Sequence, residues 1–126
     1  MTINLTHEES MDCFFNALCN GLGYVTSGYG LGLDYDQAAY VAARDKLKSP
    51  AFEDVLKQIL LDGGTLTMVD IEGDGDMTRT IILEDVYARV QKTPIKHLAD
   101  MINEEDDADT ADAILQTVFF EEIVFG

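Results

Sequence analysis

Positive charge is missing from both ends of this chain. Residues 1–43 hold five acids and no Lys or Arg, and residues 97–126 hold nine acids and no Lys or Arg. All eight bases (Arg44, Lys46, Lys48, Lys57, Arg79, Arg89, Lys92 and Lys96) lie between them, among ten further acids. About −14 of the formal −16 charge therefore sits on the two ends. Such a field repels nucleic acid and anionic membrane surfaces, so direct binding to either is not expected. It attracts a protein with a basic groove.

Other absences narrow the field further. No apolar run approaches the roughly 18 residues of a membrane span. Residues 1–9 lack the positive n-region and continuous apolar stretch of a signal peptide. There are two cysteines, Cys13 and Cys19. On one helix they would sit roughly 9 Å apart by rise, too far for a disulfide, which fits a reducing cytoplasm. Neither has a basic neighbour in sequence to favour a thiolate; His7 falls in the first turn of a helix, where exposure rather than catalysis is expected, and His97, between Lys96 and Leu98, has no distinctive neighbours. No enzymatic activity and no cofactor are expected. With no internal repeat and no linker, residues 1–126 are expected to form a single compact domain. A composition of 47% apolar and 25% charged residues is globular, so the acidity belongs on a folded surface.

What is present reads as α+β: four to five helices packed on a small antiparallel sheet built around a β-hairpin. Thr6 and Glu9 form a capping box for a helix with Met11, Phe14, Phe15, Leu18, Cys19 and Leu22 on one stripe, stopped by Gly21 and Gly23. Residues 21–35, with five glycines (Gly21, Gly23, Gly28, Gly30 and Gly32), read as a loop. Asp34 and Gln37 cap a second helix to about Lys48, whose Ala38, Ala39, Ala42 and Ala43 suit close packing. Ser49-Pro50 starts a third helix, with Phe52, Val55, Leu56, Ile59 and Leu60 on its stripe. The period then changes to two over Thr65–Glu72 and Met77–Leu83, with Gly73-Asp74-Gly75 between them, the pattern of a hairpin. A short helix over 84–91 follows. Thr93-Pro94 opens another with Ile95, Leu98, Met101 and Ile102 toward the core, and Asp109 caps a last one. The stretch Phe119–Phe125 suits a strand beside the hairpin.

Three motifs invite a chemical reading. Asp70-x-Glu72-x-Asp74-Gly75-Asp76 resembles the start of a calcium loop, but position twelve, where calcium needs a bidentate carboxylate, is Ile81. An acidic hairpin turn is the expectation. Gly28-x-Gly30-x-Gly32 lacks the G-x-G-x-x-G spacing, an adjacent Lys and a positive field, so it is not expected to hold phosphate. The run Glu104, Glu105, Asp106, Asp107, Asp109 and Asp112 suits a solvated helix N-terminus, and can also present charge to a basic partner. Tyr24, Tyr29, Tyr35 and Tyr40, set among glycines, offer large amphipathic area at low entropy cost for a protein contact, or cover the core with their hydroxyls in water.

Two classes of function follow. In one, the acids Glu8, Glu9 and Asp12 share a face with Glu104, Glu105, Asp106, Asp107, Asp109 and Asp112. They imitate phosphates for a basic nucleic-acid-binding protein, with Tyr24, Tyr29 and Tyr35 adding contacts that salt does not screen. In the other, the chain is a small-ligand sequestering module or a virion or complex assembly component, and its acidity serves solubility alone. In size, acidity and the ending Ala-Asp-Ala-Ile-Leu-Gln-Thr-Val-Phe-Phe, the chain resembles the small inhibitors carried by phages and mobile elements, such as anti-CRISPR and anti-restriction proteins. That resemblance implies a Cas nuclease complex or a restriction enzyme as partner, and surface acids as the residues that meet it.

Overall fold

A computed structural model describes residues 4–48, 50–105 and 107–125. The order is α1 (His7–Tyr29), β1 (Leu31–Asp34), α2 (Gln37–Lys46), α3 (Phe52–Leu61), β2 (Leu66–Asp70), β3 (Arg79–Ile81), α4 (Leu83–Arg89), a short 3-10 turn (Val90–Lys92), α5 (Ile95–Ile102) and α6 (Ala108–Phe120). The fold is α+β: six helices among the described residues, and one three-stranded antiparallel sheet in the order β1-β2-β3.

The last helix is the axis of the molecule. Every residue from Thr110 to Phe120 is buried. An isolated amphipathic helix buries one stripe, whereas this one is enclosed by neighbours and buries Thr110, Asp112, Gln116 and Thr117 along with its apolar residues. α1 lies along it, and α4, α5 and β3 also pack against it. Phe14 of α1 meets Phe119 of α6 with ring centroids 6.3 Å apart. Leu18, Leu56, Ile59, Leu60, Leu66, Met68, Ile81, Leu98, Ile114 and Leu115 are also fully buried there. Arg89 closes the far end of α6: it donates to the Val118 carbonyl at 2.9 Å and pairs with Asp85 and Glu121 at 3.2 and 3.0 Å.

The capping box at Thr6 and Glu9 forms, with both reciprocal hydrogen bonds. Its helix, however, does not stop at Gly21 or Gly23. α1 runs to Tyr29 and ends at Gly30, whose φ of 69° is left-handed. Gly21 is there because nothing larger fits: an added Cβ would lie 2.5 Å from the Ala111 Cβ of α6. The expected loop over 21–35 is thus the last third of a helix followed by β1. β1 pairs Leu31 with Asp70 and Asp34 with Thr67 across β2.

Several helix starts shift for a common reason, in that a neighbouring element claims the expected cap. Asp34 ends β1 and its carboxylate takes the Tyr35 amide, so Asp36 caps α2 through the Ala39 amide at 2.9 Å. α2 stops at Lys46, and of its four alanines Ala43 alone is buried. α3 starts at Phe52 with Ala51 as its N-cap residue. Asp54 accepts from the Ala51 amide, and Ser49 lies outside the described residues. α5 starts after Pro94, with Leu98 and Met101 buried but Ile95 and Ile102 exposed. Asp107, not Asp109, caps α6 by accepting from the Thr110 amide at 3.0 Å.

β2 and β3 make the expected hairpin, joined by a longer loop than the sequence suggests. Leu66 and Met68 point inward, while Thr67 and Thr80 share a hydroxyl hydrogen bond at 2.8 Å on the other face. The expected strand at 119–125 is absent: Phe119 and Phe120 finish α6, and residues 121–125 are irregular. A side chain replaces the missing strand partner. The Gln116 carbonyl oxygen accepts from the amides of Val124 and Phe125, each at 2.8 Å, and its NH2 donates to the Phe125 carbonyl at 3.0 Å.

Candidate functional site

The structure sorts the candidate residues into two sites and a remainder. Glu9 and Asp12 of α1 and Glu104, just beyond α5, line one groove of about 250 Å³ together with Cys13, Asn16, Met101 and Ile102. The two base-free ends of the sequence therefore do come together. Glu8 and Glu105 are exposed nearby in sequence but do not line the groove. Among the described residues, no Lys or Arg pairs with Glu8, Glu9, Asp12, Glu104 or Glu105. The Glu9 carboxyl is held below its ordinary range, first by the Thr6 amide and then by the Thr6 hydroxyl. Glu104 has φ 59°, a left-handed conformation that glycine would adopt freely. It closes α5, with the Glu105 amide reaching the Asp100 carbonyl at 2.8 Å.

The second site is a cleft of about 300 Å³ between the C-terminal part of α1, α5, α6 and the tail. Tyr24, Tyr29, Asp109 and Asp112 line it, as anticipated residues brought together from distant positions. Asp112, however, is not a surface acid. It is only 9% exposed, and accepts from the Tyr29 hydroxyl at 2.6 Å and from the Gln116 NH2 at 2.7 Å. Burial, followed by the hydrogen bond and charge of Asp112, raises the Tyr29 phenol above its ordinary value. Tyr29 stacks on Phe125 at 4.8 Å and meets Tyr24 edge-on at 6.0 Å. Sequence reasoning missed Gln116, Phe125 and His97 in this lining. The one available signal was the Asp112–Gln116 pair, an i,i+4 polar couple among the apolar residues of the last helix.

The remaining candidates fall elsewhere. Tyr35 belongs to a separate aromatic cluster, stacked on Tyr40 at 4.9 Å and tilted against Phe52 at 6.0 Å. Asp107 is committed to capping α6, and the Thr110 amide lowers its carboxyl. Asp106 lies outside the described residues. Asp70 organises its own loop by accepting from the amides of Gly73 and Met77, and no cluster of three metal-ligating side chains occurs among the described residues. The Glu72 carboxylate rests against Gly30, a poor setting for a phosphate. Cys13 is buried and Cys19 exposed; desolvation, then the charges of Glu53 and Asp54, raise the Cys19 thiol. That shift keeps the thiol in its less nucleophilic form. Among the described residues, no helix is long and apolar enough to cross a membrane.

Comparison with protein-family models, with curated proteins and with solved structures gave no match to this chain.

Proposed function

We propose that this chain is an acidic interaction protein without catalytic activity. It acts in the cytoplasm of a bacterial host by occupying the basic DNA or RNA groove of a defence enzyme, a Cas nuclease or a restriction enzyme. The observation that carries the reading is the convergence of Glu9, Asp12 and Glu104, from opposite ends of the sequence, on one groove with no paired cation among the described residues. Carboxylates one helical turn apart are about 6 Å from one another, a spacing close to that of phosphates along one strand. Ile102, 49% exposed in the same groove, adds an apolar contact that ions do not screen.

The test is capture of partners from host lysate at ~50 mM and ~500 mM salt, which shortens the Debye length from about 14 Å to about 4 Å. The proposal expects a nuclease retained at low salt, displaced by added duplex, and lost when Glu9→Gln, Asp12→Asn and Glu104→Gln are combined. Retention that ignores salt, duplex and the triple substitution would sink it. The competing reading, a small-ligand module, draws on the Tyr24–Asp112 cleft; it predicts no salt-sensitive protein partner.

A further inference from the structure

The cleft between α1, α5 and α6 has a wall chemistry that the acidic groove lacks. Three aromatic rings, Tyr24, Tyr29 and Phe125, stand beside two carboxylates, Asp109 and Asp112. Asp112 is nearly buried, yet both of its hydrogen-bond donors, the Tyr29 hydroxyl and the Gln116 amide, are neutral. Among the described residues no Lys or Arg pairs with Asp109 or Asp112. A desolvated carboxylate without a counter-charge is unfavourable, and a cation placed beside it relieves that. His97, also in the lining, has a buried Nδ1 with no hydrogen-bond partner among the described residues. Two exposed side chains with apolar surface, Tyr24 at 47% and Ile123 at 46%, also line the cleft.

We propose that this cleft binds an alkylguanidinium or alkylammonium group, with the cationic head against Asp112 and Asp109 and the alkyl stem against Tyr24 and Ile123. Aromatic faces attract such cations, and guanidinium, being planar and weakly hydrated, stacks on them better than ammonium. A volume of about 300 Å³ accommodates one such chain. The group can arrive as the side chain of an arginine or lysine on a protein, or as a free alkylamine. The site goes beyond the phosphate-mimicking groove and holds or fails without it, because its test needs no partner protein.

The experiment is an NMR titration of the full chain with n-butylguanidinium, n-butylammonium and the neutral isostere n-butylurea. Saturable shifts of the Asp109, Ala113 and Gln116 amides are expected with butylguanidinium, with Kd about 1 mM. Butylurea should bind at least roughly tenfold more weakly, since it lacks the charge. Tyr24→Leu and Asp109→Asn alter exposed side chains, leave the folded spectrum intact, and should each weaken binding about threefold. A capped arginine amide and spermidine are then compared. Tighter binding of the first assigns the site to a protein side chain, tighter binding of the second to a free polyamine, and either supports the site. Equal binding of butylurea and butylguanidinium, shifts that avoid the cleft, or unchanged affinity in both variants would overturn the proposal.

Discussion

Three glycines in α1 make opposite demands on an added methyl group. At Gly23 and Gly28 an added Cβ meets nothing within 4 Å, and both sites are exposed. Alanine there should add helix propensity alone, about 1 kcal/mol at the interior Gly23 and about half that near the helix end at Gly28. At Gly21 the new Cβ would lie 2.5 Å from the Ala111 Cβ and 3.2 Å from the Ala111 carbonyl carbon. Unbonded carbons settle at about 3.5–4.0 Å, so α1 and α6 must part by about 1 Å. Both atoms belong to a short side chain or to backbone, so neither can swing away. Overpacking of this kind costs about 2–3 kcal/mol, and the propensity gain offsets about 1, leaving Gly21→Ala less stable by about 1–2 kcal/mol. Urea unfolding followed by circular dichroism resolves that difference. In a domain of this size the gap between Gly21→Ala and Gly23→Ala should approach about 10 °C in Tm. Adding Ala111→Gly to Gly21→Ala should restore the helix contact and recover part of the loss. A Gly21→Ala protein as stable as Gly23→Ala would refute the close-approach argument and return Gly21 to being an ordinary helix defect.

Three further outcomes are expected. Gln116→Leu removes the amide that holds the tail, leaves the Val124 and Phe125 amides without their acceptor, and should lower stability by about 1–3 kcal/mol. Hydrogen exchange at those two amides should rise before the rest of the protein does, and unchanged exchange would contradict the clamp. Tyr29 ties stability to alkaline pH: its phenol is raised in the folded state, so its contribution is complete below about pH 10 and falls as pH rises, because the unfolded chain ionises first. Ultraviolet titration should show one of the five tyrosines resisting ionisation until unfolding, and Tyr29→Phe should abolish that class; a single transition for all five would argue against it. Glu104→Gly should stabilise the fold by about 1 kcal/mol by relieving the left-handed backbone, while weakening capture of the basic partner. A loss of stability would mean that Glu104 makes a contact worth more than its strain.

Local signals survived into the structure where they involve neighbours within a few residues. The Thr6–Glu9 box, the α3 stripe from Val55 to Leu60 and the alternation through Leu66 and Met68 are of that kind. Glycine was misleading because its two uses look alike in a sequence. Gly30 is needed for its positive φ and Gly21 for its missing volume, and the atom that Gly21 makes room for is ninety positions away. The acidic ends illustrate the same limit. Charge alone left open whether the terminal acids share a face; Glu9, Asp12 and Glu104 line one groove, whereas the fate of Asp112 depended on Tyr29, a partner 83 residues distant. Tyr24 and Tyr35 differ by eleven positions, yet a helix end and a strand between them send the two rings to different clusters.

The burial of α6 on every side governs the order in which the chain can be made. Its packing partners, α1, β3, α4 and α5, all emerge from the ribosome before it does, and until residues 108–120 follow, the faces they turn to α6 stay uncovered. Synthesis therefore passes through a period in which apolar stripes are exposed, the condition under which nascent chains aggregate. Throughout that period most of the acids are already on the chain, and mutual repulsion keeps copies apart. Nascent chains stalled at Asp107 should accordingly be soluble but cleaved rapidly by protease, with protection arriving abruptly once α6 has been released. Gradual protection, helix by helix, would show that α6 is not the element on which the rest condenses.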